Sequence, residues 1–175
     1  MHVFSAADEA ELFVNGKSAG RIKKAASTYR FRWDTVSYQP GNLTVVTYKN
    51  GTKWAVDTKR TVGDATKLNI TADRNTITGD GYDLSFITVT VVDDNGDVVP
   101  RADNVITFSV SGPGEIVSTD NGDPTDMTAF PSTTRKAFSG LALAVVRAIP
   151  GSSGQVIVSA TAAGLLAVEV ELQVI

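Results

Sequence analysis

Residues 84–92 read LSFITVTVV, an uninterrupted run without glycine, proline or charge. Successive side chains of an extended chain point to opposite faces, so Phe86, Thr88, Thr90 and Val92 share one side and Ile87, Val89 and Val91 the other. Neither set carries a charge and both read as largely buried, which predicts a strand over Leu84 to Val92 with both faces covered. Outward from this run, period-two alternation recurs, and no window of a dozen residues places apolar side chains cleanly at i, i+3, i+4 and i+7. The chain reads as all-β. After Leu68, Ile70 and Ala72, further strands are expected at Val105 to Val110, Gly114 to Ser118, Ala137 to Ala148, Gln155 to Ala160 and Ala167 to Val174. About seven strands over roughly 100 residues, punctuated by Gly, Pro and Asp, is the profile of an immunoglobulin-like sandwich.

The earlier part of the chain has shorter segments: His2 to Ser5, Glu11 to Val14, Lys17 to Lys24, Tyr29 to Asp34, Asn42 to Lys49 and Lys53 to Arg60. In Tyr29-Arg30-Phe31-Arg32-Trp33 the aromatics alternate with arginines, which assigns one face to core and the other to solvent. Asn-Gly pairs at Asn15, Asn50, Asn95 and Asn121 tolerate the positive φ of tight turns, and each is expected to reverse the chain.

The charge divides near Gly63. Residues 1–62 hold ten Lys and Arg against five Asp and Glu, net +5, and residues 63–175 hold six against fourteen, net −8. Thr61 to Ala65 also interrupts the alternation, so two domains are expected, 1–62 and 63–175. At 42% hydrophobic and 20% charged residues the chain can bury a core. There is no cysteine, which excludes disulfides, thiolate metal sites and cysteine nucleophiles. No apolar run approaches the roughly 18 residues of a membrane span, so no membrane insertion is expected.

Tests for chemistry give little. The only histidine is His2, so a Ser-His-Asp arrangement has one poorly placed base, and no metal site is expected. Glu9 with Glu11, and Glu169 with Glu171, lie at two strand rises, roughly 6.6 Å, inside the spacing used by glycosidases. Nothing apolar flanks either pair to split their pKa values, as acid-base work requires, and solvated strand faces explain them. Asp93-Asp94-Asn95-Gly96-Asp97 begins like a calcium loop, but Val98 and Asn104 stand where an EF-hand needs glycine and glutamate. A turn explains the segment. Arg21, Lys23, Lys24, Arg30 and Arg32 sit among aromatics, but the rings that would stack on bases are on the opposite face from the arginines, and lysines along an edge strand guard against edge-to-edge pairing, so nucleic acid is not expected. Trp33, Trp54, Tyr38 and Tyr82 are the residues that could stack on sugar rings; Trp33 reads as core, leaving Trp54 and Tyr38 as candidate carbohydrate-binding residues.

Two blocks in order, HVFSAADEAELFVNGKSAG and YRFRWDTVSYQPGNLTVVTYKNG, resemble the immunoglobulin-like domain that follows the catalytic barrel in bacterial β-galactosidases of glycoside hydrolase family 2. The later block, TGDGYDLSFITVTVVDDNGDVVPRADNVITFSVSGPGEIVSTDNGDPTD through RKAFSGLALAVVRA, is similar to the next C-terminal module of those enzymes and to bacterial invasin-type immunoglobulin-like domains. The resemblance implies two tandem immunoglobulin-like β-sandwiches, the first truncated at its N-terminal edge. It implies a bacterial parent, a retaining β-galactosidase, reaching the periplasm or exterior through a signal outside these residues. The family's catalytic glutamates sit on an (α/β)8 barrel, and no stretch here resembles their motifs, so no catalytic residue and no cofactor are carried over. The expected partner is the parent's catalytic barrel, with glycans as a further possibility. Three functions remain open on sequence: an accessory region with a spacing or assembly role, a carbohydrate-binding module, and an adhesin-type stalk repeat.

Overall fold

Two consecutive Asn-Gly turns organise the first part of the chain. Asn15 and Asn50 adopt φ of 49° and 51°, and Gly16 and Gly51 follow at 79° and 77°. Paired positive φ values make the turn whose twist matches flanking antiparallel strands. In the computed structural model, which describes all of residues 1–175, these turns close two hairpins. The strands here are β1 (His2–Phe4), β2 (Glu9–Val14), β3 (Lys17–Lys23), β4 (Arg30–Arg32), β5 (Asn42–Lys49) and β6 (Thr52–Arg60). They form a four-stranded sheet in the order β3-β2-β5-β6 and a two-stranded sheet β1-β4. Phe31 and Trp33 cluster with Ala10, Leu12 and Val45 between the layers. The Trp33 indole N–H donates to Gly20 O at 3.0 Å, satisfying the one polar group that burial would otherwise strand.

Residues Met1–Thr61 and Val62–Ile175 are separate compact units. The second contains β7 (Lys67–Ala72), β8 (Thr76–Ile77), β9 (Leu84–Val92), β10 (Val105–Ser111), β11 (Gly114–Asp120), β12 (Thr134–Lys136), β13 (Leu141–Ala148), β14 (Gly154–Thr161) and β15 (Val168–Val174). One sheet has the order β12-β10-β14-β15-β8 and the other β11-β13-β9-β7. Ile87, Val89 and Val91 meet Ile106, Phe108 and Val158 in the core between them. All strand pairs are antiparallel except β8 with β15. The chain contains no helix, and the all-β sandwich class expected from the alternation is the observed one.

Several expectations are corrected. Phe86, expected inside, is 41% exposed, whereas Ser85, Ile87, Val89 and Val91 point inward. A two-layer sandwich packs only one face of each strand into its core, so Leu84, Thr88 and Thr90 on the opposite face of β9 are partly buried, and only Val92 at the strand's end is buried there. Tyr29 does not share the core face of Phe31: the strand begins at Arg30, and Tyr29 is an exposed ring stacked against Phe4 with centroids 6.2 Å apart. The single strand expected over Ala137 to Ala148 is interrupted. Ser139 and Gly140 take φ of 51° and 79°, and the chain crosses from β12 in one sheet to β13 in the other. Asn121-Gly122 does not close a hairpin but opens the long connection between β11 and β12, and β8 and β12 were not expected.

Candidate functional site

Trp54 and Tyr38 are both exposed, but the structure does not bring them together. Tyr48 pairs with Lys53 and Thr47 with Ala55, so Trp54 is the extra residue of a β-bulge on β6. Its ring is 58% exposed and Lys49 Nζ lies 5.2 Å from its centroid. Tyr38 is anchored at the other end of the same strand, its hydroxyl 3.2 Å from Thr61 Oγ1. Seven residues of extended chain separate Trp54 from Thr61, roughly 23 Å, so the two rings make no shared platform. Trp33 is core. Tyr82 is exposed on a turn of the second unit that Asp80 holds by accepting the Tyr82 N–H.

Three of the four paired glutamates are held by their neighbours. Glu9 accepts from Arg21 Nε at 2.7 Å, while Glu11 accepts from Ser18 Oγ at 2.6 Å. Arg21 also lies over the Tyr48 ring, 3.6 Å from its centroid. Glu169 accepts from Ser159 Oγ. Asp93 is buried and accepts three backbone N–H groups, from Gly63 at 2.8 Å, Asn95 at 2.9 Å and Asp97 at 3.0 Å. The Gly63 N–H, the largest of these influences, helps hold its carboxyl below the usual range. A carboxylate surrounded by amide hydrogens is arranged to close a turn, since those donors repel a cation. No three His, Asp or Glu side chains converge to hold a metal ion.

His2 stands on the exposed face of β1, where local desolvation and then the positive charges of Arg30, the N-terminus and Arg32 hold its pKa below the ordinary value. Arg32 pairs with Asp34, and Arg30 lies over Tyr29.

Two features had no sequence signal. A cleft of about 390 Å³ opens between the layers of the first unit, walled by Met1 to Ser5 and floored by Leu43, Val45 and Thr47 with Ala55, Asp57 and Lys59. In the second unit a guanidinium is buried: Arg135 donates to Thr119 O at 2.6 Å, Thr128 O at 2.9 Å, Ala129 O at 3.0 Å and Asp126 Oδ2 at 3.1 Å. These bonds fasten the β11–β12 connection from within. A shallow depression beside it holds Asp103 and Lys136 in an ion pair of 2.8 Å.

Against known proteins, residues 68–171 match the glycoside hydrolase family 2 C-terminal domain 5. The chain belongs to that family. Residues 1–55 match a domain of unknown function, DUF4982. The β-galactosidase BoGH2A of Bacteroides ovatus is 40% identical over 162 residues, 93% of this chain and 19% of the relative. A putative β-glucuronidase of Formosa agariphila is 29% identical over 93% of this chain and 16% of its own length. The family 2 chain thus spans about a fifth of the curated relatives it matches. Among solved structures, a glycosyl hydrolase family 2 member from Bacteroides cellulosilyticus superposes with a TM-score of 0.94 at 32% identity, over 99% of this chain and 22% of that one.

Proposed function

We propose that this family 2 chain is a non-catalytic accessory region of a β-galactosidase, bracing or spacing a catalytic barrel carried elsewhere on the polypeptide. The observation that carries this reading is the lopsided match to BoGH2A, covering 93% of this chain but 19% of the enzyme. The side-chain chemistry agrees with it, because Glu9, Glu11 and Glu169 are bound to their own neighbours and both units pack hydrophobic cores. A bacterial enzyme working in the periplasm or outside the cell fits the relatives' origin. Purified chain, freed of host enzyme, is expected to release no chromophore from an aryl β-galactoside. Turnover would overturn the reading.

A second reading, glycan binding, rests on Trp54 alone, whose exposed ring at a bulge offers a face for a pyranose. Calorimetric titration with galacto-oligosaccharides tests it. Binding lost on Trp54→Ala supports it, and binding that survives the substitution removes Trp54 as the platform.

A further inference from the structure

The cleft of the first unit has the construction of a strand slot. One wall is five consecutive residues, Met1 to Ser5. Alternate side chains of a strand point to opposite faces, so five residues in succession border one space only along the strand's edge. The floor is a face: Leu43, Val45 and Thr47 alternate along β5, and Lys59, Asp57 and Ala55 lie beside them on β6. β1 pairs with β4 and nothing else. Met1 and Trp33 exchange both of their backbone bonds. Because bonded and non-bonded pairs alternate in an antiparallel ladder, the N–H and C=O groups of His2 and Phe4 point away from β4, along the free edge. The two layers are also unequal, two strands against four, and every residue of β6 is exposed.

We propose that this cleft receives an added β-strand, an extended segment supplied by the enzyme polypeptide outside these 175 residues. It pairs with the free edge of β1 and lays alternate apolar side chains on Leu43, Val45 and Ala55. The proposal rests on the accessory-region reading, which places the chain in a longer enzyme. The matched relatives are about five times as long, so such a segment is available within one polypeptide, where its effective concentration is high. A second copy is a poorer occupant: the first unit is net +5, so two copies meeting at the slot repel. A glycan is poorer still, since Asp57 and Lys59, the charged groups on the floor, pair with each other at 3.9 Å and the Thr47 hydroxyl already donates to Ala55 O. An unpaired edge beside an open, partly apolar sheet face is the arrangement that peptide strands complete.

Amide exchange at Phe4 tests this, measured in the 175-residue chain and in the full polypeptide encoded by its gene. Exchange at least about tenfold slower in the full polypeptide is expected. Ala55→Glu, a change at an exposed position, is expected to leave the thermal midpoint of the 175-residue chain in place and to restore fast exchange in the full polypeptide. Equal exchange at Phe4 in the two proteins overturns the proposal, as does slow exchange that survives Ala55→Glu. Slowing in the 175-residue chain that grows with protein concentration assigns the slot to a second copy and overturns it too. The galactoside assay is independent of all these outcomes, so the strand proposal can fail while the accessory reading stands.

Discussion

Arg135 Nη1 lies 3.1 Å from Asp126 Oδ2 with the arginine side chain 2% exposed and the carboxylate 15% exposed. Charge, fork geometry and three carbonyl acceptors coincide at a point where the backbone of the β11–β12 connection would otherwise lack donors. Arg135→Met removes every one of these donors while keeping an unbranched chain, and it leaves a carboxylate and carbonyls unpaired. Denaturant unfolding of the second unit is expected to show a loss of about 3 to 5 kcal/mol. Arg135→Lys is expected to recover only a fraction, because an ammonium cannot reproduce the planar fork.

Asp126 is held down to about 2, first by the hydroxyl and N–H of Thr128 and then by Arg135. The Tyr82 N–H lowers Asp80, the Gly63 N–H lowers Asp93 and Lys136 lowers Asp103. A carboxylate lowered in the folded state adds stability that is complete above its unfolded value of about 3.9 and is lost as pH falls through the folded one. The second unit is therefore expected to keep its thermal midpoint from pH 7 to about pH 5 and to lose it progressively toward pH 2. Calorimetry across that range checks this, and Asp126→Asn should flatten the fall.

Phe31 and Phe86 should behave oppositely. Phe31→Ala opens a cavity in the smaller core and is expected to cost about 3 to 5 kcal/mol. Phe86→Ala trims an outward ring and is expected to stay within about 0.5 kcal/mol of the parent. Paired urea titrations separate the two.

Gly112 and Gly96 share similar backbone strain, with φ of 87° and 84°, but differ in their surroundings. A Cβ on Gly112 would stand 2.2 Å from Gln155 O, and one on Gly96 would meet nothing within 4 Å. Gly96→Ala should cost about 1 kcal/mol from φ alone. Gly112→Ala should lower the melting temperature distinctly further.

The two tryptophans give an optical check. Trp54→Phe leaves only buried Trp33, so emission should shift to the blue and resist acrylamide. Trp33→Phe should do the reverse, unless the first unit fails to fold.

Much of the architecture was readable because alternation is a local property. Asn42 to Lys49 and Leu84 to Val92 form strands with those same ends, and the Asn15 and Asn50 turns close their hairpins as their residue types dictate. What could not be read depends on neighbours distant in sequence. Whether Phe86 faces core or water is decided by the number of layers, and nine residues cannot report that. Thr134–Lys136 is a strand because Val105–Ser111 offers it an edge. The cleft beside β1 exists because two strands lie over four, an imbalance no motif encodes. Ring chemistry marks out Trp54 and Tyr38 in the sequence, but their separation is set by the length of β6.

The short parallel pairing of Thr76–Ile77 with Gln173–Val174, reinforced by the Asn75 side-chain amide donating to Glu171 O across 96 residues, has a consequence for biosynthesis. Translation at about 5 to 20 residues per second leaves the early strands of the second unit waiting roughly 5 to 20 s for their last partner to leave the ribosome. Through that interval their apolar inner surfaces are open to chaperones and to neighbouring nascent chains. Substitutions in Val168–Val174 should accordingly reduce the yield of soluble protein more than they weaken molecules that have already folded.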